Sequence, residues 1–129
     1  MKLLYLPMLV ALYMLPVSAG PIEKVAEYMR QGNVNELSKL LATNVEMTVQ
    51  GEENIYSKVQ AGLILEKFFH ENKPVSVNVL HKINSNPSYL FGVLILNTQK
   101  GAFRVAFTLR QTDGGLSMIE LRIETEKVK

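Results

Sequence analysis

From Val75 to the C-terminus, apolar and polar residues alternate in four runs, Val75 to Asn84, Tyr89 to Thr98, Ala102 to Gln111 and Leu116 to Glu126, separated by three turn signals. A period of two predicts half-buried strands, so this pattern commits the second half of the chain to a sheet. The loops Gln99 to Gly101 and Asp113 to Gly115 each span three residues and end in glycine, which suits hairpins closed by a residue of positive φ. That pairing sets Phe103, Val105, Phe107 and Leu109 on one face with Phe91, Val93 and Ile95 on one side and Ile119, Leu121 and Ile123 on the other. This is the expected core face. The opposite face is expected to carry Leu94, Leu96, Ala106, Arg104, Arg122, Glu120 and Glu124, with Arg104 facing Glu124.

Upstream of residue 75 the period is mostly helical. Ile22, Val25, Ala26 and Met29 fall at i, i+3, i+4 and i+7 after Pro21, and Gly32 supplies a stop. Asn33 can cap a second helix with Val34, Leu37, Leu40 and Leu41 as its stripe. Val45, Met47 and Val49 alternate as one strand before a turn expected at Gly51 to Asn54. Ser57 and Gln60 have the spacing of a capping box, followed by Ala61, Ile64, Leu65, Phe68 and Phe69 on one side of a helix that ends at Asn72 to Pro74. The expected fold class is α+β, helix-helix-strand-helix followed by four antiparallel strands, with the sheet wrapped around the helices.

The order and several local patterns resemble a known group. Tyr56, Ser57 and Lys58 precede the capped helix, Phe68, Phe69, Asn72 and Pro74 end it, and His81, Gly101, Phe103, Arg104, Val105, Leu121, Arg122, Ile123 and Glu124 follow. These residues resemble an uncharacterised family of exported bacterial proteins, chiefly from the Bacteroidetes, within the nuclear transport factor 2-like, cystatin-like superfamily. The resemblance implies a cone-shaped α+β domain and brings no established activity with it. Some cone-shaped relatives in the superfamily are ketosteroid isomerases or dehydratases, whose cavities hold a carboxylate base and hydrogen-bond donors against an apolar ligand.

Lys2, the apolar run Leu3 to Leu15 and the small residues Val17, Ser18 and Ala19 read as a secretory leader cleaved after Ala19. The run is too short for a membrane span and carries Pro7 and Pro16. The expected organisation is therefore a signal peptide over 1–19 and one domain over 20–129, exported to the periplasm or secreted, with no stable membrane anchor after removal of the leader. The mature chain keeps 13 basic against 12 acidic residues. This near balance, with scattered basic residues, lacks the footprint of a nucleic-acid binder. The absence of cysteine excludes disulfides, thiolate metal sites and a cysteine nucleophile.

Few residues carry chemistry. Asp113, the only aspartate, reads as a turn-former. His70 falls opposite the apolar stripe of its helix and reads as a surface residue. Unbroken alternation places His81 with Val75, Val77, Val79 and Ile83 on the core side, where an imidazole must hydrogen-bond a carbonyl or face a cavity. Tyr56 either presents its phenol to the same cavity or packs with the hydroxyl at the surface. His81, Tyr56 and Phe69 are the candidate ligand-binding residues, and Leu94, Leu96, Ala106 and Arg104 the candidate homodimer interface. Glu46, Glu120 and Glu124 alternate away from the apolar positions, so no paired carboxylates emerge. No catalytic residue, cofactor or metal site is expected. The reading is a non-catalytic exported domain that binds a small apolar ligand or a protein partner in or on the cone. The alternative is a small isomerase or dehydratase of the ketosteroid-isomerase kind.

Overall fold

A computed structural model describes residues 20–127; the expected leader over 1–19 lies outside them. Helix α1 (Pro21–Gln31) carries proline in its first turn and ends at Gly32 in the left-handed conformation, where the Asn33 N–H returns to the Tyr28 carbonyl at 2.9 Å. The Asn33 side chain accepts from the Glu36 N–H at 3.2 Å and starts α2 (Val34–Leu40). Strands β1 (Leu41–Val49) and β2 (Glu52–Ser57) form a hairpin, and α3 (Lys58–Glu71) follows directly. The expected capping box is present, with Ser57 and Gln60 each satisfying the other's backbone donor. At the far end, the buried Asn72 donates from both its backbone and its side-chain nitrogen to the Phe68 carbonyl. Then come β3 (Pro74–Asn86), β4 (Tyr89–Thr98), β5 (Gly101–Thr112) and β6 (Gly115–Thr125).

The architecture is α+β, with one strand more than the sequence pattern shows. Strand β2 occupies the residues expected to be a turn and its approach to α3. It is an edge strand with no buried position, so it carries no alternation to read. The single sheet runs β2-β1-β6-β5-β4-β3 and is antiparallel except where β1 lies parallel to β6. Helix α1 packs on β3 and β4, α3 on β1 and β2, and α2 against α3. The core between the helices and the sheet is apolar, with Phe68 edge-on to Phe103 at 5.0 Å and to Phe69 at 5.4 Å. Gly92 lies where Phe107 of β5 and Ile22 of α1 leave no room for a side chain. A Cβ there would lie 2.6 Å from Phe107 Cζ and 3.1 Å from Ile22 Cγ2.

The register corrects the expected faces of β4. Thr98 pairs with Gly101, so the loop holds two residues instead of three, and Leu96 faces Phe103 while Leu94 faces Val105. A slip of one residue turns every side chain over. Leu94 and Leu96 are therefore core and fully buried, whereas Phe91, Val93 and Ile95 lie on the outer face with Ala106. The β5–β6 loop is also one residue shorter, with Thr112 paired to Gly115, yet its faces come out largely as expected. A bulge between Thr108 and Leu109 admits Ile119 as an extra residue, so Phe107 still meets Leu121, Val105 meets Ile123 and Arg104 meets Glu124. Met118, opposite Leu109, takes the core position expected of Ile119.

A second bulge corrects β3. Val79 pairs with Leu94 and His81 with Val93, leaving Leu80 without a partner. The extra residue breaks the alternation. His81 and Ile83 fall on the outer face, and Lys82 turns to the helix side, where it reaches Glu23 of α1 at 2.7 Å.

Candidate functional site

The expected ligand-binding residues are not brought together. His81 is exposed on β3, and Tyr56, paired with Val45, sits on β2. These are the two edges of the sheet, five strand spacings or roughly 24 Å apart along it. Phe69 is buried in the core beside Phe68, with Gly32 and Pro74 against it. Of the expected interface residues, Leu94 and Leu96 are buried on the wrong side. Ala106 and Arg104 do lie on the outer face, where Arg104 Nε donates to Glu126 Oε2 at 3.0 Å. His70 and Asp113 are exposed, as expected of a helix surface and a turn.

Three features take the place of that arrangement. The first is the outer face of the sheet. All three helices pack on the other side, and the face they leave carries Ile83, Phe91, Val93, Ile95 and Ala106 across β3, β4 and β5. Ile83 is exposed, Phe91, Ile95 and Ala106 are half-buried, and Val93 is shielded by these neighbours. A sheet face open to water is ordinarily polar. Arg104, Arg122 and Glu124 border the row, with Arg122 bonded to Glu124 at 3.4 Å.

The second feature is a cleft of about 250 Å³ between α3 and the β1–β2 hairpin, floored by Val49, Ile64 and Phe68. Tyr56 lines it, together with Gln50, Glu52, Lys67 and Glu71. Gln50 reaches the cleft from a backbone with φ of 50°, in the turn that closes the hairpin. The third is a cleft of about 320 Å³ at the opposite end of the helix layer, lined by Pro21, Lys24, Tyr28, Leu40, Leu109 and Leu116. Lys24 and Tyr28 are one turn apart on α1, a spacing visible in the sequence. Their meeting with β5 and β6 depends on tertiary pairing and leaves no sequence signal.

The ion pairs among the described residues lie at the surface. Among the described residues the buried polar side chains are Thr48, Asn72, Thr98 and Thr108, none of which titrates near neutral pH. The Lys82 ammonium holds the Glu23 carboxyl below its usual range, chiefly through their hydrogen bond. Among the described residues, no three His, Asp or Glu side chains are grouped to hold a metal ion. No described helix is long and apolar enough to cross a membrane.

Comparison with known proteins agrees with this fold. A protein from Bacteroides uniformis in the DUF4783 family is 28% identical, with 84% of this chain and 100% of that one covered and a TM-score of 0.79. A nuclear transport factor 2-like protein from Cytophaga hutchinsonii (13% identity, 81% and 91% coverage, TM-score 0.59) shares the fold. So does a cystatin-like domain of unknown function from Nostoc punctiforme (10%, 86% and 81%, TM-score 0.63). No curated protein matches the chain. The model of one family, described as a domain of unknown function, matches residues 22–124, and the chain belongs to that family, DUF4783.

Proposed function

We propose that the protein is an exported, non-catalytic binding domain that pairs with a second copy through the outer face of its sheet and takes a small apolar ligand on the helix side. The observation that carries this reading is the apolar row Ile83, Phe91, Val93, Ile95 and Ala106 on a face that no helix covers. A two-fold contact lets each row bury its copy, and an isologous interface needs only one such patch. Export rests on the leader features of residues 2–19, and N-terminal sequencing of the exported protein should return Gly20. Sedimentation tests the pairing. Ile95→Glu should convert a dimer to a folded monomer, and a wild type that sediments as a monomer at high concentration would remove the idea.

The alternative is a small isomerase or dehydratase. The observation that favours it is the presence of Tyr56, Glu52 and Glu71 around one apolar floor, since a phenol and a carboxylate can divide proton donation and abstraction. Incubation with a β,γ-unsaturated ketosteroid decides it. The binding reading expects no growth of conjugated-enone absorbance above buffer. Turnover that Glu71→Gln or Glu52→Gln reduces a hundredfold would establish the enzyme.

A further inference from the structure

We infer that the cleft between α1 and the β5–β6 hairpin is the ligand seat, and that its ligand is a small amphipathic anion, a monocarboxylate with an aliphatic or aromatic body. This rests on the binding reading above and names the ligand class for it.

The two clefts on the helix side differ in the sign of their charge. The cleft beside Tyr56 brings Glu52 and Glu71 against a single Lys67, so an anion entering it meets net repulsion. The cleft beside Tyr28 has Lys24 as its one charged lining residue and no carboxylate. Lys24 makes no ion pair with a described residue, and the Tyr28 hydroxyl makes no hydrogen bond with one; the Lys39 ammonium, which Tyr28 also feels, is held by Glu36 at 2.7 Å. One cation and one phenol donor are therefore unengaged at the edge of an otherwise apolar hollow. Leu109 forms a fully buried floor, while Tyr28, Leu40 and Leu116 are half-buried walls that pack on the core. Binding sites commonly combine such an apolar body with a few polar groups that orient the ligand. A carboxylate accepts from both the ammonium and the phenol, and a charge-assisted bond is about twice as strong as a neutral one. At roughly 30 Å³ for each water-sized group, a space of about 320 Å³ holds about ten non-hydrogen atoms. Octanoate has that size, that charge and an apolar chain.

The test is an NMR titration of the isotope-labelled protein with octanoate, octanol and octylamine, which share a chain and differ in the head group. Octanoate should shift the methyl signals of Leu40, Leu109 and Leu116 and the ring signals of Tyr28, saturating at millimolar concentration. Octanol and octylamine should bind about five- to tenfold more weakly. Lys24 is exposed, so Lys24→Glu should fold normally, lower octanoate affinity about tenfold and raise that of octylamine. Leu116→Trp, filling the hollow from a half-buried position, should abolish all three shifts while the spectrum elsewhere stays that of the folded protein. Equal affinity for octanoate and octanol would overturn the anion and leave the binding reading standing. Shifts centred on Ile64 and Phe68 would overturn the placement. No shift with any of the three probes would overturn both this inference and ligand binding on the helix side.

Discussion

Lys82 Nζ lies 2.7 Å from Glu23 Oε2, tying the first turn of α1 to a strand 59 positions later in the chain. Lys82 pairs with Gly92 and so faces the helices, and Glu23 at the same time accepts from backbone at the start of α1. Its carboxyl titrates below the usual value near 4.5, with the Lys82 hydrogen bond as the largest cause. A depressed carboxylate contributes stability that is present above its unfolded value and lost as pH falls through the folded one. Both side chains are more than a third exposed, so the contribution is below about 1 kcal/mol. Glu23→Gln should therefore lower the melting temperature slightly at pH 6, by an amount that shrinks as the pH falls below the ordinary carboxylate range. A difference that stays constant as the pH falls would assign the effect to packing.

The bulge itself can be removed. Deleting Leu80 leaves Val79 on Leu94 and His81 on Val93, the pairs already made, and removes an exposed apolar side chain. The shortened protein should fold and keep Lys82 on the helix side. A double-mutant cycle of Glu23→Gln with Lys82→Met in the deletion background should give the same coupling as in the full chain. Loss of that coupling would show that the bulge aims Lys82 by more than its count of residues.

The contact at Gly92 predicts a steric penalty. Any Cβ there meets Phe107 Cζ at 2.6 Å and Ile22 at 3.1 Å, so Gly92→Ala should destabilise by about 1–3 kcal/mol. Adding Phe107→Leu, which shortens the ring side of the contact, should make the double variant less unstable than the sum of the two singles. Strict additivity in urea unfolding would mean that the ring is not what Gly92 accommodates.

The register of β4 is tested by neighbours in sequence. Leu96→Ala, at a fully buried position, should cost about 2–5 kcal/mol. Ile95→Ala, on the outer face, should cost less than half of that in the monomer. The reverse order would restore the faces read from alternation.

What the sequence shows depends on whether a feature is local. The α1 stripe, the Gly32 stop, the Asn33 cap and the Ser57–Gln60 box are interactions within one turn, and all are found as read. The faces of β4 and the position of His81 depend on counting residues through a loop or along a strand, where an error of one inverts everything beyond it. Gln99 to Gly101 reads equally as a loop of three residues or as two plus a pair, and nothing near Leu80 announces an extra residue. The clefts are less legible still. Tyr28 and Leu116 are far apart in the chain and meet only because α1 lies across the sheet, so their chemistry belongs to the fold and not to any motif.

The parallel contact of β1 with β6 has a consequence for how the molecule comes into being. Strand β6, the last of the described residues, lies inside the sheet, between β1 and β5. Until Gly115–Thr125 is available, the β1–β2 hairpin and the β3–β4–β5 meander have no strand to join them, and Met47 and Val105 face positions that Leu121 and Ile123 have yet to fill. Such long-range closure is slow compared with helix and hairpin formation. While β6 is still held in the ribosome, the two halves of the sheet stay apart, and the step that joins them waits for its release.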